Sequence, residues 1–467
     1  MEGCVARLLA HLRRAEGTAA VLAALVGVAG LAEATTFYVR QSVGDDAADG
    51  RSPSTAWRHV SKLSDAMQAG DTAYVGGGLY REQITVEHDG RPDAAITFVA
   101  DTSGGHTGDP PGPVVLAGSE PVDETIFTPL GPPGAFRAEF SDFVVWGAVE
   151  MDGPQQRYVR ATITHEYLVE KRSAVDVVAL LPSSWFYDEA TRVLFLHTSD
   201  GRPPATHEME LIRRGDGIFV QNKHYVTVVG FTFRHMQDAG VSFFKGSGNG
   251  LVSHVISYGN RQGVRIYGAR DVTVHASTLF RNENCGAYFA AESTGGAAID
   301  NVAYENVKGL RWSSGSHRGR AVGNVLYGNL ERGLSLEEVD DAVVLGNRLA
   351  GNRVSQLYVL QSHYMGAGNC FANDDATQLT ADFTPFGAND RFPTLAEYQR
   401  AKGEDLTSRE NGCGSVPAKL DVHAPSVTGL PESASLGAAP PSRERRADPG
   451  ARPPSGPSMP PSRRPDS

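Results

Sequence analysis

Arg265, Tyr288 and Arg311 follow one another at intervals of 23 residues, and Tyr267 lies two beyond Arg265. Phe244 stands one interval before Tyr267, and Glu337 about three intervals after it. A guanidinium pairs bidentately with a carboxylate. A tyrosine offers a flat face and a hydroxyl to a sugar ring. Lys245 and Glu292 fall just past the same segments. Arg265, Arg311, Lys245 and Glu337 are therefore the candidate catalytic residues. Tyr267, Tyr288, Phe244, Glu292, Asp238 and His235 are the candidate substrate-binding residues. The plain alternative is a solvated face bearing ordinary exposed arginines and tyrosines.

The spacing comes from an internal repeat that would position these groups. Glycines recur at Gly217, Gly240, Gly263, Gly286, Gly309 and Gly333, in steps of 23 and finally 24. After each one, apolar residues occupy the first and third places, from Ile218/Val220 to Leu334/Leu336. That alternation marks a strand with one buried face. Asn301, Asn324 and Asn347 form a second series at the same interval, and Asn306, Asn329 and Asn352 a third. Stacked asparagines suit the turns of a solenoid. The abundance of glycine, 52 residues, fits a chain with many tight turns. The repeat predicts an all-β parallel helix of about 23 residues per coil, each coil holding about three short strands. Outward residues then stack in two rows. The first is Phe219, Ser242, Arg265, Tyr288, Arg311, Ser335 and Tyr358. The second is Gln221, Phe244, Tyr267, Ala290, Ser313, Glu337 and Leu360.

The chain at this point resembles the right-handed parallel β-helix proteins of the pectate-lyase-like superfamily. Phe37-Tyr38-Val39, Gly44-Asp45-Asp46, Asp49-Gly50, Ala56-Trp57, Gly70 to Val75 and Tyr80-Arg81-Glu82 resemble the opening coil of its secreted members. The resemblance covers residues 35–413. It implies a substrate groove on the outward face, and a carbohydrate-active role with an extracellular polysaccharide as partner. Lyases, hydrolases, epimerases and binding proteins share the fold, so the reaction does not follow from it.

Two chemistries compete, with a non-catalytic glycan binder or adhesin as the rival from another class. In β-elimination beside a uronate carboxylate, Arg265, Arg311 and Lys245 would supply base and clamp. Glu337 or Asp238 is the candidate to hold a metal, with Ca²⁺ the cofactor to consider. The lack of a tight aspartate cluster beside the basic residues departs from the Ca²⁺-dependent lyases of the superfamily. Glycoside hydrolysis needs two carboxyls about 5 to 9.5 Å apart. Glu337 is the only carboxylate expected in the outward rows, with Glu338, Asp340 and Asp341 in the next turn. His235 and Asp238 precede the Gly240 strand, as an acid with its orienting group or as structural hydrogen bonders.

The remaining segments frame the repeat. Residues 1–34 read as a signal peptide: Arg7, Arg13 and Arg14, an apolar run of about 14 residues, then Ala32-Glu33-Ala34. That run is too short to span a bilayer, so the expectation is a secreted or periplasmic protein with no stable membrane span. Trp57, Val60, Leu63 and Met67 at helical spacing predict an N-terminal capping helix. Residues 118–212 interrupt the repeat and predict a small β-rich insertion, with a hairpin around Glu189-Ala190-Thr191. Regular coils are expected over 213–375. A C-terminal cap over 376–413 is signalled by the Thr394/Glu397 capping box. Residues 414–467, rich in Pro, Ser and Arg, read as a disordered tail. Cys370 and Cys413 are placed to pair in an oxidising compartment, and three free thiols are the equal alternative. The net charge of −11 argues against a general nucleic-acid binder. A monomer is expected.

Overall fold

The computed structural model describes residues 34–153, 159–160, 173–383 and 390–420. The expected signal peptide and most of the expected tail lie outside them. The chain winds into a right-handed parallel β-helix whose coils repeat about every 23 residues. Three ten-stranded sheets run along it among the described residues. One coil shows the plan. Gln262–Tyr267 lies in sheet III, Thr273–His275 in sheet I and Thr278–Phe280 in sheet II, and Cys285–Ala290 re-enters sheet III.

The glycine ladder has a steric cause that differs from the expected one. None of the six repeat glycines has a positive φ. A Cβ on Gly286 would instead lie 2.6 Å from the carbonyl oxygen of Gly309, and one on Gly309 would lie 2.5 Å from that of Gly333. Consecutive coils approach so closely at this bend that any side chain would separate them.

The asparagine ladders form as the spacing predicts. The Asn301 side-chain amide donates to Asn324 Oδ1 (3.0 Å), Asn324 to Asn347 (2.9 Å) and Asn347 to Asn369 (3.0 Å). Each amide also donates to a backbone carbonyl of the preceding coil. All four are fully buried. Burying an amide is tolerable only when its donors and acceptor are used, and here they are.

Apolar side chains fill the interior, with Phe289 and Trp312 stacked at 4.3 Å between ring centres. At the N-terminal end, Val60–Lys62 and Leu63–Ala66 form a short helical cap whose Val60, Leu63 and Met67 seal the first coils. At the other end, helix Leu395–Lys402 has the expected Thr394/Glu397 capping box and buries Leu395 and Tyr398. Cys370 and Cys413 are joined by a disulfide, and Cys285 is a buried free thiol.

The insertion leaves the coil after sheet II strand Val114–Ala117 and returns before sheet III strand Ile218–Gln221. It contains a five-stranded sheet with the hairpin Ser184–Asp188/Val193–His197, and a three-stranded antiparallel sheet. It also carries an α-helix, Ala174–Leu180, that sequence periodicity did not signal. The insertion therefore flanks the edge of sheet III where sheets II and III meet.

Candidate functional site

Sheet III displays the two outward rows in the expected register. Ser242 pairs with Arg265, Arg265 with Tyr288, Tyr288 with Arg311, Arg311 with Ser335 and Ser335 with Tyr358. Phe244 pairs with Tyr267, and Ser313 with Glu337. Asp382 extends the first row beyond Tyr358, so Glu337 is not the only carboxylate in the outward rows. A further contribution was not foreseen. Two residues that stand just before repeat glycines contact the outward side chains: Asp216 meets Arg265, and Arg332 meets Glu337. Asp216 and Arg332 join the face in this way. Extending the 23-residue count one place before each glycine would have found both.

Around Arg265 every charge is answered. Its Nε donates to Ser242 Oγ at 2.9 Å, and Nη2 reaches both Asp216 oxygens at 3.1 and 3.2 Å. Nη1 lies 3.4 Å from Asp238, which also approaches Arg261 at 3.5 Å. Asp216 further accepts from Ser242 Oγ (2.6 Å) and the Ala239 amide (3.1 Å). Burial pushes the Asp216 carboxyl up to about 6, the nearby Asp238 charge adding to it and Arg265 and Ser242 opposing it. Beside this cluster Phe244 and Tyr267 stack with ring centres 5.2 Å apart, and Phe219 continues the line of rings at 5.9 Å, tilted by 40°.

Around Arg311 the balance differs. Arg311 Nη2 donates to Glu337 Oε2 at 2.5 Å, and Arg332 Nη1 lies 3.8 Å from Glu337 Oε1. Two guanidiniums thus share one carboxylate. Arg311 lies over the Tyr288 ring at 5.1 Å, and Arg332 over Tyr358 at 3.4 Å. Ser313 Oγ donates to the Tyr288 hydroxyl at 3.2 Å. Arg311 Nε, Arg332 Nε, Ser335 Oγ and Glu337 Oε1 are buried without a hydrogen-bond partner. Such orphaned groups are costly and concentrate where a ligand completes them.

The remaining expected site residues do not join either cluster. His235 is fully buried: its Nδ1 is 3.3 Å from Ser119 Oγ and its ring meets Tyr258 edge-on. The expectation that it lines the groove is corrected, since it packs under the insertion with Glu210 and Ser119. Lys245 and Glu292 are exposed in the turns from sheet III to sheet I, Lys245 with its ammonium 5.5 Å from the Phe244 ring. Arg311 is corrected as a candidate base. Burial acts to lower its pKa, but Glu337 outweighs that and the net shift is upward, so it stays protonated. Glu338 and Asp340 are exposed, but Glu337 itself is buried in its ion pairs.

The family model of NosD, described as a periplasmic copper-binding protein, matches residues 198–380. No curated protein matches the sequence. Among solved structures, a complex of XylC with xylose is similar over 75% of this chain and 70% of that one, at 13% identity and a TM-score of 0.54. The pectate lyase Pel9A is similar over 76% and 78% at 12% identity and 0.44, and a lacto-N-biosidase from Eubacterium ramulus over 74% and 57% at 10% and 0.46. The shared fold is the right-handed parallel β-helix. At these identities the likeness is one of fold.

The NosD match raises the question of copper. Among the described residues, which include the whole matched segment, no three His, Cys, Asp or Glu side chains converge as a metal site. Cys285 is buried with its thiol pushed up to about 12 by burial, and Cys370 is in the disulfide. His254 and His275 sit on adjacent coils with Nδ1 of each against Ser253 Oγ, at 2.7 and 3.1 Å, but no third His, Cys, Asp or Glu joins them among the described residues. These residues do not fit copper. Asp238 and Glu337, the candidates for Ca²⁺, lie four coils apart and are each ion-paired to arginine.

Proposed function

We propose that the outer face of sheet III binds an acidic polysaccharide and cleaves it by lyase-type β-elimination at the Arg311–Arg332–Glu337 cluster. The observation that carries this reading is the excess of one positive charge among partly buried groups, with unpartnered donors beside it. A uronate carboxylate supplies both the missing charge and the missing acceptors. Bound there, it would be neutralised, and the proton on its α-carbon would become more acidic. Glu337, displaced from Arg311 by the substrate carboxylate, would take that proton. The electron pair would form the new double bond as the glycosidic oxygen leaves. Tyr288, held by Ser313, would return a proton to the departing oxygen and be replenished from solvent.

A second reading, glycoside hydrolysis, rests on Asp216 and Asp238. Both contact Arg265, and the raised Asp216 is suited to a general acid. Binding without turnover is the third. A secreted or periplasmic location belongs to the same proposal. The Cys370–Cys413 disulfide supports an oxidising compartment, and no described helix is long and apolar enough to cross a membrane. A monomeric state without nucleic-acid partners completes it.

The test is incubation of the protein with a panel of acidic and neutral polysaccharides. Ultraviolet absorbance from unsaturated ends establishes elimination. New reducing ends without that absorbance favour hydrolysis. Binding with neither leaves a glycan-binding scaffold.

A further inference from the structure

We infer that the stack of Phe219, Phe244 and Tyr267 binds uncharged sugar units of the same polymer, so that the substrate mixes neutral and acidic residues. The inference rests on the reading of sheet III as a polysaccharide-binding face. Aromatic rings line up across coils on the outside of sheets II and III, as Tyr38 and Tyr74 do on sheet I. The stack of sheet II, Tyr258, Phe280, Tyr304 and Tyr327, has ring centres 4.9 to 5.1 Å apart, and each ring is at most 6% exposed. Residues 415–420 lie against it: the Tyr327 hydroxyl donates to Pro417 O, and the Leu420 amide to the Tyr304 hydroxyl. Among the described residues no such segment covers the rings of sheet III, and all three are partly exposed. Exposed stacked rings on a sheet face call for an explanation that scattered apolar residues do not.

The charges around the stack indicate what covers it. Arg265, whose guanidinium is 5.3 Å from the Phe244 ring, is neutralised by Asp216 and Asp238. It has no surplus charge for an anion, unlike the Arg311 cluster. Lys245 stands at the rim, exposed, where solvent screens its charge. The apolar ring faces suit the C–H face of a neutral pyranose. The rows also set the direction. Phe219 and Arg311 belong to the same row, four coils apart, a span of about 19 Å. A run of neutral units along the stack would lead directly to a uronate at Arg311.

The experiment measures binding by calorimetry to two sets of hexasaccharides, neutral ones of the gluco, xylo, manno and galacto series and a fully charged oligogalacturonate. Wild type, Phe244→Ala, Tyr267→Ala and Tyr267→Phe are compared, with thermal melting as the check on folding. Binding of at least one neutral hexasaccharide is expected. It should weaken about three- to tenfold in each alanine variant and be kept in Tyr267→Phe. A minimal uronate disaccharide should bind all four proteins equally. If the oligogalacturonate binds and no neutral hexasaccharide does, the inference falls and the acidic reading stands. Equal losses on disaccharide and hexasaccharide would also overturn it. If no sugar of either kind binds the wild type, both fall together.

Discussion

Arg265 and Arg311 stand in one row of one sheet, two coils apart, and their surroundings differ in a single respect. Arg265 meets two carboxylates and a serine that use its donors, and Asp216 is itself tied to a backbone amide. Arg311 shares its one carboxylate with Arg332 and leaves Nε without a partner. The same residue type at the same repeat position thus serves as a brace in one coil and as an incomplete site in another. Charge count around a guanidinium distinguishes the two better than its exposure, since the side chains are 14% and 22% exposed.

The largest expected effect separates the two arginines directly. Arg311→Gln should cost at least about a hundredfold in turnover of an acidic polymer, comparable to removing one electrostatic stabiliser, while melting near wild type. Arg265→Met should do the reverse. It leaves the buried Asp216 without its cation while Asp238 keeps Arg261, a loss of about 3 kcal/mol in stability, with activity per folded molecule largely kept. Activity assays and chemical denaturation on both variants check the pair. Equal behaviour would remove the distinction.

Asp216 gives the comparison a pH axis. Its folded-state pKa, about 6, lies above its ordinary value of 3.8. A raised carboxyl favours folding while protonated. Its contribution is therefore full below about pH 4 and is lost as pH rises through about 6, by at most about 3 kcal/mol. Asp216→Asn should flatten that part of the stability profile between those pH values, measured by melting across a pH series. An unchanged slope would place the titration elsewhere.

The smallest effect is a matched pair of serines in the same outward row. Ser242 bridges Asp216 and Arg265, whereas Ser335 Oγ is buried with no partner. Ser242→Ala should lose about 1 to 2 kcal/mol, and Ser335→Ala should be neutral within about 0.5 kcal/mol. Denaturation midpoints decide this. Cys285 adds a control on integrity. With its thiol pushed up to about 12 by burial, it should react with a thiol reagent only on unfolding.

The fold was legible because its determinants repeat. Gly286 and Asn324 each recur in register, and a 23-residue interval admits few architectures. The two outward rows followed from strand alternation. Less was legible where geometry departs from alternation. Asp216 and Arg332 escaped notice because strict alternation counted back from Ile218 and Leu334 assigns them to the inward set, whereas they contact Arg265 and Glu337. His235 was misplaced because the insertion covers its turn, and nothing local to His235 announces a partner, Ser119, 116 residues away. The pairing of each arginine was also hidden, since the Arg265–Asp216 bridge spans 49 residues across two coils.

The disulfide has a consequence for how the molecule comes apart. A stack in which each coil touches only its neighbours can peel from either end, like a zipper. Cys413 is bonded to Cys370 in the last regular coil, and the chain beyond it lies back along sheet II, with Ser415 against Arg348, Pro417 against Tyr327 and Leu420 against Tyr304. The C-terminal end is thereby latched onto three earlier coils, while the cap at the N-terminal end, among the described residues, is held by packing and hydrogen bonds such as Ser61 to Glu82, with no covalent tie. In an oxidising medium, loss of structure should therefore begin at the N-terminal coils. Reduction would open a second starting point and make the order of unfolding depend on redox conditions.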